Sequence, residues 1–218
     1  MLDPSSFFTF YAAVLALQLA PGPDMLLVMG RGIGLGRRVA VLTATGTTLL
    51  AALVQLPLLV FGVASLIQAH PLLLDLLRWG GAAYLIWLGL GLLITTMQPK
   101  PHRMAAQQPV ADAAALRQGM MSNLTNPKPM IFMLAFLPQF VDPSTGWPVV
   151  VQLLVLGAVQ KLSGFFVLTG VALGAGTFGG WLARHPKLIV WQERFAGAVM
   201  VGLGLRLALS AVEPRASR

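Results

Sequence analysis

Two tetrapeptides, Pro21-Gly22-Pro23-Asp24 and Asn126-Pro127-Lys128-Pro129, stand inside apolar stretches of a 218-residue chain, each near the start of its own half. Proline lacks the backbone N–H and clashes with the preceding turn, so each tetrapeptide interrupts a helix and frees backbone carbonyls. In hydrocarbon such groups persist only where protein buries them or where they line a wet cavity.

The surroundings of both breaks are hydrocarbon by composition. Charged residues make up 10% of the chain and hydrophobic residues 56%, with a mean hydropathy of +0.77. A soluble domain carries roughly 25% charged residues, so this chain cannot cover a water-facing surface. Residues 4–23, 39–74, 79–99, 143–160 and 162–183 contain no Asp, Glu, Lys or Arg. Each stretch approaches or exceeds the ~20 residues of a membrane-spanning helix. The expectation is an all-α integral membrane protein with six transmembrane helical segments. They lie at about 5–30 (broken at 21–24), 39–67, 72–97, 117–141 (broken at 126–129), 148–174 and 195–213. Paired breaks at matching positions of two halves are the sequence pattern of a transporter's binding site.

Three spans per half is an odd number, so the second half enters the membrane in the opposite sense. This predicts two inverted three-helix repeats, 1–97 and 117–218, joined by a cytoplasmic linker at 98–116. Residues 175–194, opening with Gly176, Gly179 and Gly180, read as a second polar linker. Arg31, Arg37 and Arg38, then Lys100, Arg103 and Arg117, then Arg184, Lys187 and Arg194 place loops one, three and five in the cytoplasm, with both termini outside. A re-entrant hairpin over 5–30 is the alternative, and it would put the N-terminus inside.

Several functions are excluded. The chain has no cysteine, which removes disulfides, thiolate metal sites and cysteine nucleophiles. Asp3 before the first apolar run argues against a signal peptide. The net charge of +8 is read as topology signal and headgroup contact, not nucleic-acid binding. His70, His102 and His185 are scattered through loops, so no metal is expected. Gly32-Ile33-Gly34-Leu35-Gly36 follows a membrane segment instead of a strand and reads as a flexible turn, not a nucleotide loop. No catalytic constellation lies inside the membrane, so neither an enzyme nor a cofactor is expected.

The candidate site residues are therefore polar groups at the breaks and charges within spans. Asp24 can hold a substrate ammonium, accept the coupled proton, or cap the helix that follows. Lys128 can bind a substrate carboxylate, pair with Asp24, or snorkel to the cytoplasmic face. Asn126 supplies an amide and a cap. Lys161, inside an otherwise charge-free stretch, should face the cavity beside Gln160 or reach a partner such as Asp24. Gln55 and Gln139 are further cavity-lining candidates. Asp75 and Arg78 read as an i,i+3 ion pair, and Arg206 as a helix-end anchor. Gly80, Gly81, Gly89, Gly91, Gly197, Gly202 and Gly204 read as close-packing positions, which serve a homodimer or the internal bundle equally.

Longer blocks around these residues resemble a known family. Pro21-Gly22-Pro23-Asp24 is followed by Arg78-Trp79-Gly80-Gly81-Ala82-Ala83-Tyr84-Leu85-Ile86-Trp87-Leu88-Gly89. Then come Asn123-Leu124-Thr125-Asn126-Pro127-Lys128, Phe136-Leu137-Pro138-Gln139-Phe140 and Gly202-Leu203-Gly204-Leu205-Arg206. In this order they resemble the lysine exporter (LysE) superfamily, within it the homoserine/threonine-resistance (RhtB) branch. The resemblance implies a bacterial inner-membrane exporter of small amino acids such as threonine, homoserine or leucine, driven by proton antiport. It places Pro21, Gly22, Pro23, Asp24, Asn126, Pro127 and Lys128 along the substrate path. The alternative on the same fold is export of another metabolite, an amine, a drug-like solute or an ion. Departures from the family pattern fall at Leu50, Ala51 and Ala52, at Gly164, at Val171 and at Lys161.

Overall fold

The computed structural model describes residues 4–69, 71–97, 108–142, 145–184 and 186–212, all of its regular structure being helical. The first expected break is present. Helix α1 (Pro4–Leu19) and helix α2 (Pro23–Gly34) meet at 53°. Gly22 is the N-cap of α2 with extended backbone, and Pro23 takes the first helical position, where a missing N–H costs nothing. Helix α3 (Arg37–Thr45) passes through a π-helical turn (Gly46–Leu50) into helix α4 (Ala51–Ala69), and helix α5 (Pro71–Thr95) follows.

In the second half, helix α6 (Asp112–Thr125) stops at Asn126 and helix α7 (Pro127–Phe136) restarts at once, ending in a 3₁₀ turn (Leu137–Phe140). Asn126 caps α7, its side-chain oxygen accepting from the Lys128 backbone N–H at 3.1 Å. Helix α6 begins five residues earlier than the polar composition suggested. Its start is alanine-rich, and Asp112 sits favourably in the first turn, paired with Arg38 at 2.5 Å.

Two expectations need correction. Residues 175–184 and 186–194 are helical, not a linker: helix α8 runs Val149–Arg184, and helix α9 runs Pro186–Val212. Glycine costs helix propensity, about 1 kcal/mol each, but removes no hydrogen bond. The helix therefore passes through Gly176, Gly179 and Gly180, and the next one starts with proline at its first position. The other correction concerns loop one. Gly32 and Gly34 belong to α2, so the turn is reduced to Leu35 and Gly36, and Gly36 adopts φ +91°. Arg31 is not a loop charge. It is buried in the last turn of α2, donating to Thr43 Oγ1 at 2.7 Å, to the Ala115 carbonyl at 3.3 Å and to Gln118 Oε1. The expected Asp75–Arg78 pair lies outside the described side chains, as do Lys100, Arg103 and Arg184.

Arg37–Val63 and Val149–Ala175 are each long and apolar enough to cross a membrane, and the bent α1–α2 pair makes a third such unit. Within α5, the part Trp79–Thr95 is apolar as well. Phe8, Phe61 and Phe166 are 76%, 77% and 69% exposed, on α1, α4 and α8. Large apolar side chains facing outward from several helices suit a lipid solvent.

The larger apolar core gathers Phe10 and Val14 of α1, Leu59 of α4, Leu85 of α5, Phe132 and Phe136 of α7, Leu153 of α8 and Met200 of α9. A smaller one joins Val28, Ala40, Ala44, Leu168 and Ala172, from α2, α3 and α8. Helices α5 and α9 pack along each other at Gly89 and Gly197, where an added Cβ would come 2.6 Å or 2.8 Å from the other's carbonyl oxygen. Gly80, Gly91 and Gly202, expected as packing positions, face no atom within 4 Å.

Candidate functional site at the paired helix breaks

A cavity of about 90 Å³ opens at the two breaks, with walls from both apolar clusters. One water needs roughly 10–15 Å³, so the space suits a small solute. Its polar lining includes Asp24, Asn123, Asn126, Lys128, Gln160 and Lys161; its apolar wall includes Leu17, Met25 and Leu168. Gly22 and Pro129 line it as well, whereas Pro23 and Pro127 are exposed and Pro21 half-buried, outside the lining.

Asp24 lies in the first turn of α2, where the helix dipole favours a carboxylate. It does not cap that helix. Its Oδ1 accepts from Ser122 Oγ at 2.7 Å, and its Oδ2 from Asn123 Nδ2 at 2.7 Å and Asn126 Nδ2 at 3.1 Å. An ionised carboxylate offers about four acceptor positions, so Oδ2 is filled and Oδ1 keeps one.

Lys128 occupies the corresponding turn of α7, where a helix N-terminus opposes a cation. Its ammonium turns instead to the first break and donates to the Ala20 carbonyl at 2.7 Å, just past the C-terminus of α1. The neighbouring Leu19 carbonyl accepts from Gln192 of α9. Carbonyls freed by the first break are thus taken by side chains from α7 and α9.

Lys161, on α8, is buried and faces the cavity beside Gln160. It donates to Gln55 Oε1 of α4 and, at 3.2 Å, to Asn123 Oδ1. Neither lysine forms a direct ion pair with Asp24. Asn123 bridges instead, its oxygen towards Lys161 and its nitrogen towards Asp24. Chemistry dictates that orientation, because an ammonium can only donate and a carboxylate only accept. Gln139 does not reach this site; it donates to the Ala135 carbonyl behind its own turn.

Several contributors are not evident from composition. Ser122 and Asn123 hold Asp24, and Gln18 of α1 joins α8 through the Gln160 carbonyl at 2.8 Å and Ser163 Oγ at 2.9 Å. Thr47 and Thr48 of the π turn also line the cavity, each donating to a carbonyl of its own helix. One signal was available: Ala115, Gly119, Ser122, Asn123 and Asn126 form a small-and-polar stripe along one face of α6.

Comparison with known proteins identifies the family. Residues 15–211 match the family described as LysE type translocator. An uncharacterized membrane protein of Pseudomonas aeruginosa is 34% identical over 95% of this chain and 96% of its own length. Leucine efflux proteins of Enterobacter sp. and Salmonella typhimurium are 31% and 30% identical, each over 93% of this chain and 95% or 94% of their own. No solved structure matches. With nine-tenths of its length matched, the chain belongs to the LysE-type translocators, a family of membrane transporters and not of enzymes.

Proposed function

We propose that this protein exports small amino acids, leucine-like or threonine-like, from the bacterial cytoplasm across the inner membrane. The observation that carries the reading is the opposed charge at the breaks. Asp24 keeps one free acceptor position, and Lys128 has spent one of its three protons, on Ala20. A zwitterion fits that polarity, its ammonium on Asp24 and its carboxylate on Lys128, with its side chain against Leu17, Met25 and Leu168. The leucine efflux relatives support the same substrate class.

Export is driven by proton antiport, with Asp24 carrying the proton when the substrate is absent. A proton and a substrate ammonium compete for the same Oδ1 position, which makes the two occupancies alternate. The two halves, 1–97 and 117–218, act as inverted three-helix repeats that rock about the breaks, and 98–116 joins them on the cytoplasmic side.

Inverted vesicles test this. Labelled leucine, threonine and homoserine are offered with and without an inside-acid pH gradient. Gradient-driven uptake, lost in Asp24→Asn and Lys128→Ala, is the expected result. Absence of uptake of all three by folded protein contradicts amino-acid export. Unchanged proton coupling in Asp24→Asn contradicts the proton role.

A further inference from the structure

The cavity lining carries two ammonium groups and, among the described residues, one carboxylate. That carboxylate is already engaged by three donors. We infer that Lys161 is a charge filter: it bars solutes with a second positive charge, so the site takes amino acids with neutral or anionic side chains. The inference rests on the amino-acid reading above and narrows it.

The geometry fixes the filter in position. Gln55 from α4 and Asn123 from α6 hold the Lys161 ammonium in place, and both are neutral. The stretch around it is charge-free from 143 to 160 and from 162 to 183, so the side chain cannot reach water at a helix end or a nearby carboxylate on its own helix. Asp24 is one amide away, and its last acceptor position is the one a substrate α-ammonium needs. A zwitterion leaves the surplus of one positive charge as it was. A dibasic solute raises it to two, and its second ammonium meets no free carboxylate in the lining. A plain amine fares little better, because it brings no carboxylate for Lys128 and Lys161.

The test is competition against labelled leucine in inverted vesicles, with norvaline and 2,4-diaminobutyrate as unlabelled competitors. The two have the same number of side-chain heavy atoms and differ by a terminal methyl against an ammonium. In the wild-type protein diaminobutyrate should need about tenfold or more of the norvaline concentration, as like charges in a partly buried site repel by that order. The ratio should fall towards one in Lys161→Gln and persist in Lys161→Arg. Equal competition in the wild-type protein overturns the filter without any variant. An undiminished ratio in folded Lys161→Gln overturns its assignment to Lys161. If norvaline itself fails to compete, the amino-acid reading falls and the filter with it.

Discussion

The two helix breaks look alike in sequence and do opposite work. The first contributes acceptors, the Ala20 carbonyl and the Asp24 carboxylate; the second contributes donors, the Asn126 amide and the Lys128 ammonium. Each break satisfies the other: Asn126 donates to Asp24, and Lys128 donates to Ala20. Their local solutions differ too. The first spreads over three non-helical residues and has a glycine N-cap without a side-chain bond; the second is a single residue, Asn126, which caps its own helix. An acidic first turn agrees with the helix dipole, while a lysine in the first turn opposes it and is placed by the other break. Two broken helices are therefore one polar unit with a direction, suited to a solute that is itself polar end to end.

Breaking that polarity at Asp24 should have the largest effect. Asp24→Asn retains the shape and most hydrogen bonds but removes the charge, and transport should fall about 100-fold or more, since charge-assisted bonds contribute roughly 1.5–3 kcal/mol each. Lys128→Met should come next. It removes the donor to Ala20 and the carboxylate partner, raising the apparent KM for leucine by about tenfold or more. Asn126→Ala probes the hinge between the breaks. Loss of the cap and of the bond to Asp24 should cost about 1–3 kcal/mol, read as a lower unfolding midpoint in detergent. The smallest effect belongs to Pro23→Ala. Alanine tolerates the first position of a helix that Gly22 already starts, so transport should stay within about twofold, the effect being chiefly on unfolded-chain entropy. A large loss in Pro23→Ala would mean that the proline itself, and not the polar pairing, makes the break.

Proline breaks are legible in a sequence because their effect is local: a missing N–H interrupts a helix wherever the helix lies. Three apolar units are legible for a similar reason: the bent α1–α2 pair, Arg37–Val63 and Val149–Ala175 each hold a long stretch poor in charge. What could not be read was which faces meet. Ser122, Asn123 and Gln18 are ordinary polar residues until α6 and α1 are set against α2 and α8. Arg31 looked like a loop charge beside Arg37 and Arg38, yet one more turn of α2 buries it against Thr43, Ala115 and Gln118. Glycines misled in the other direction. Gly176, Gly179 and Gly180 suggested a linker, but only a proline, at 186, marks the start of a new helix. Lys161 was legible as an anomaly, although its partners Gln55 and Asn123 required the packing of α4 and α6.

The central claim is that the solute binds between Asp24 and Lys128, and equilibrium binding of labelled leucine to purified, detergent-solubilised protein tests it most directly. Binding should be saturable in the wild-type protein, lost in Asp24→Asn and weakened in Lys128→Met. It should persist in Arg206→Gln, whose exposed side chain lies outside the cavity lining. Undiminished binding by folded Asp24→Asn would contradict the account.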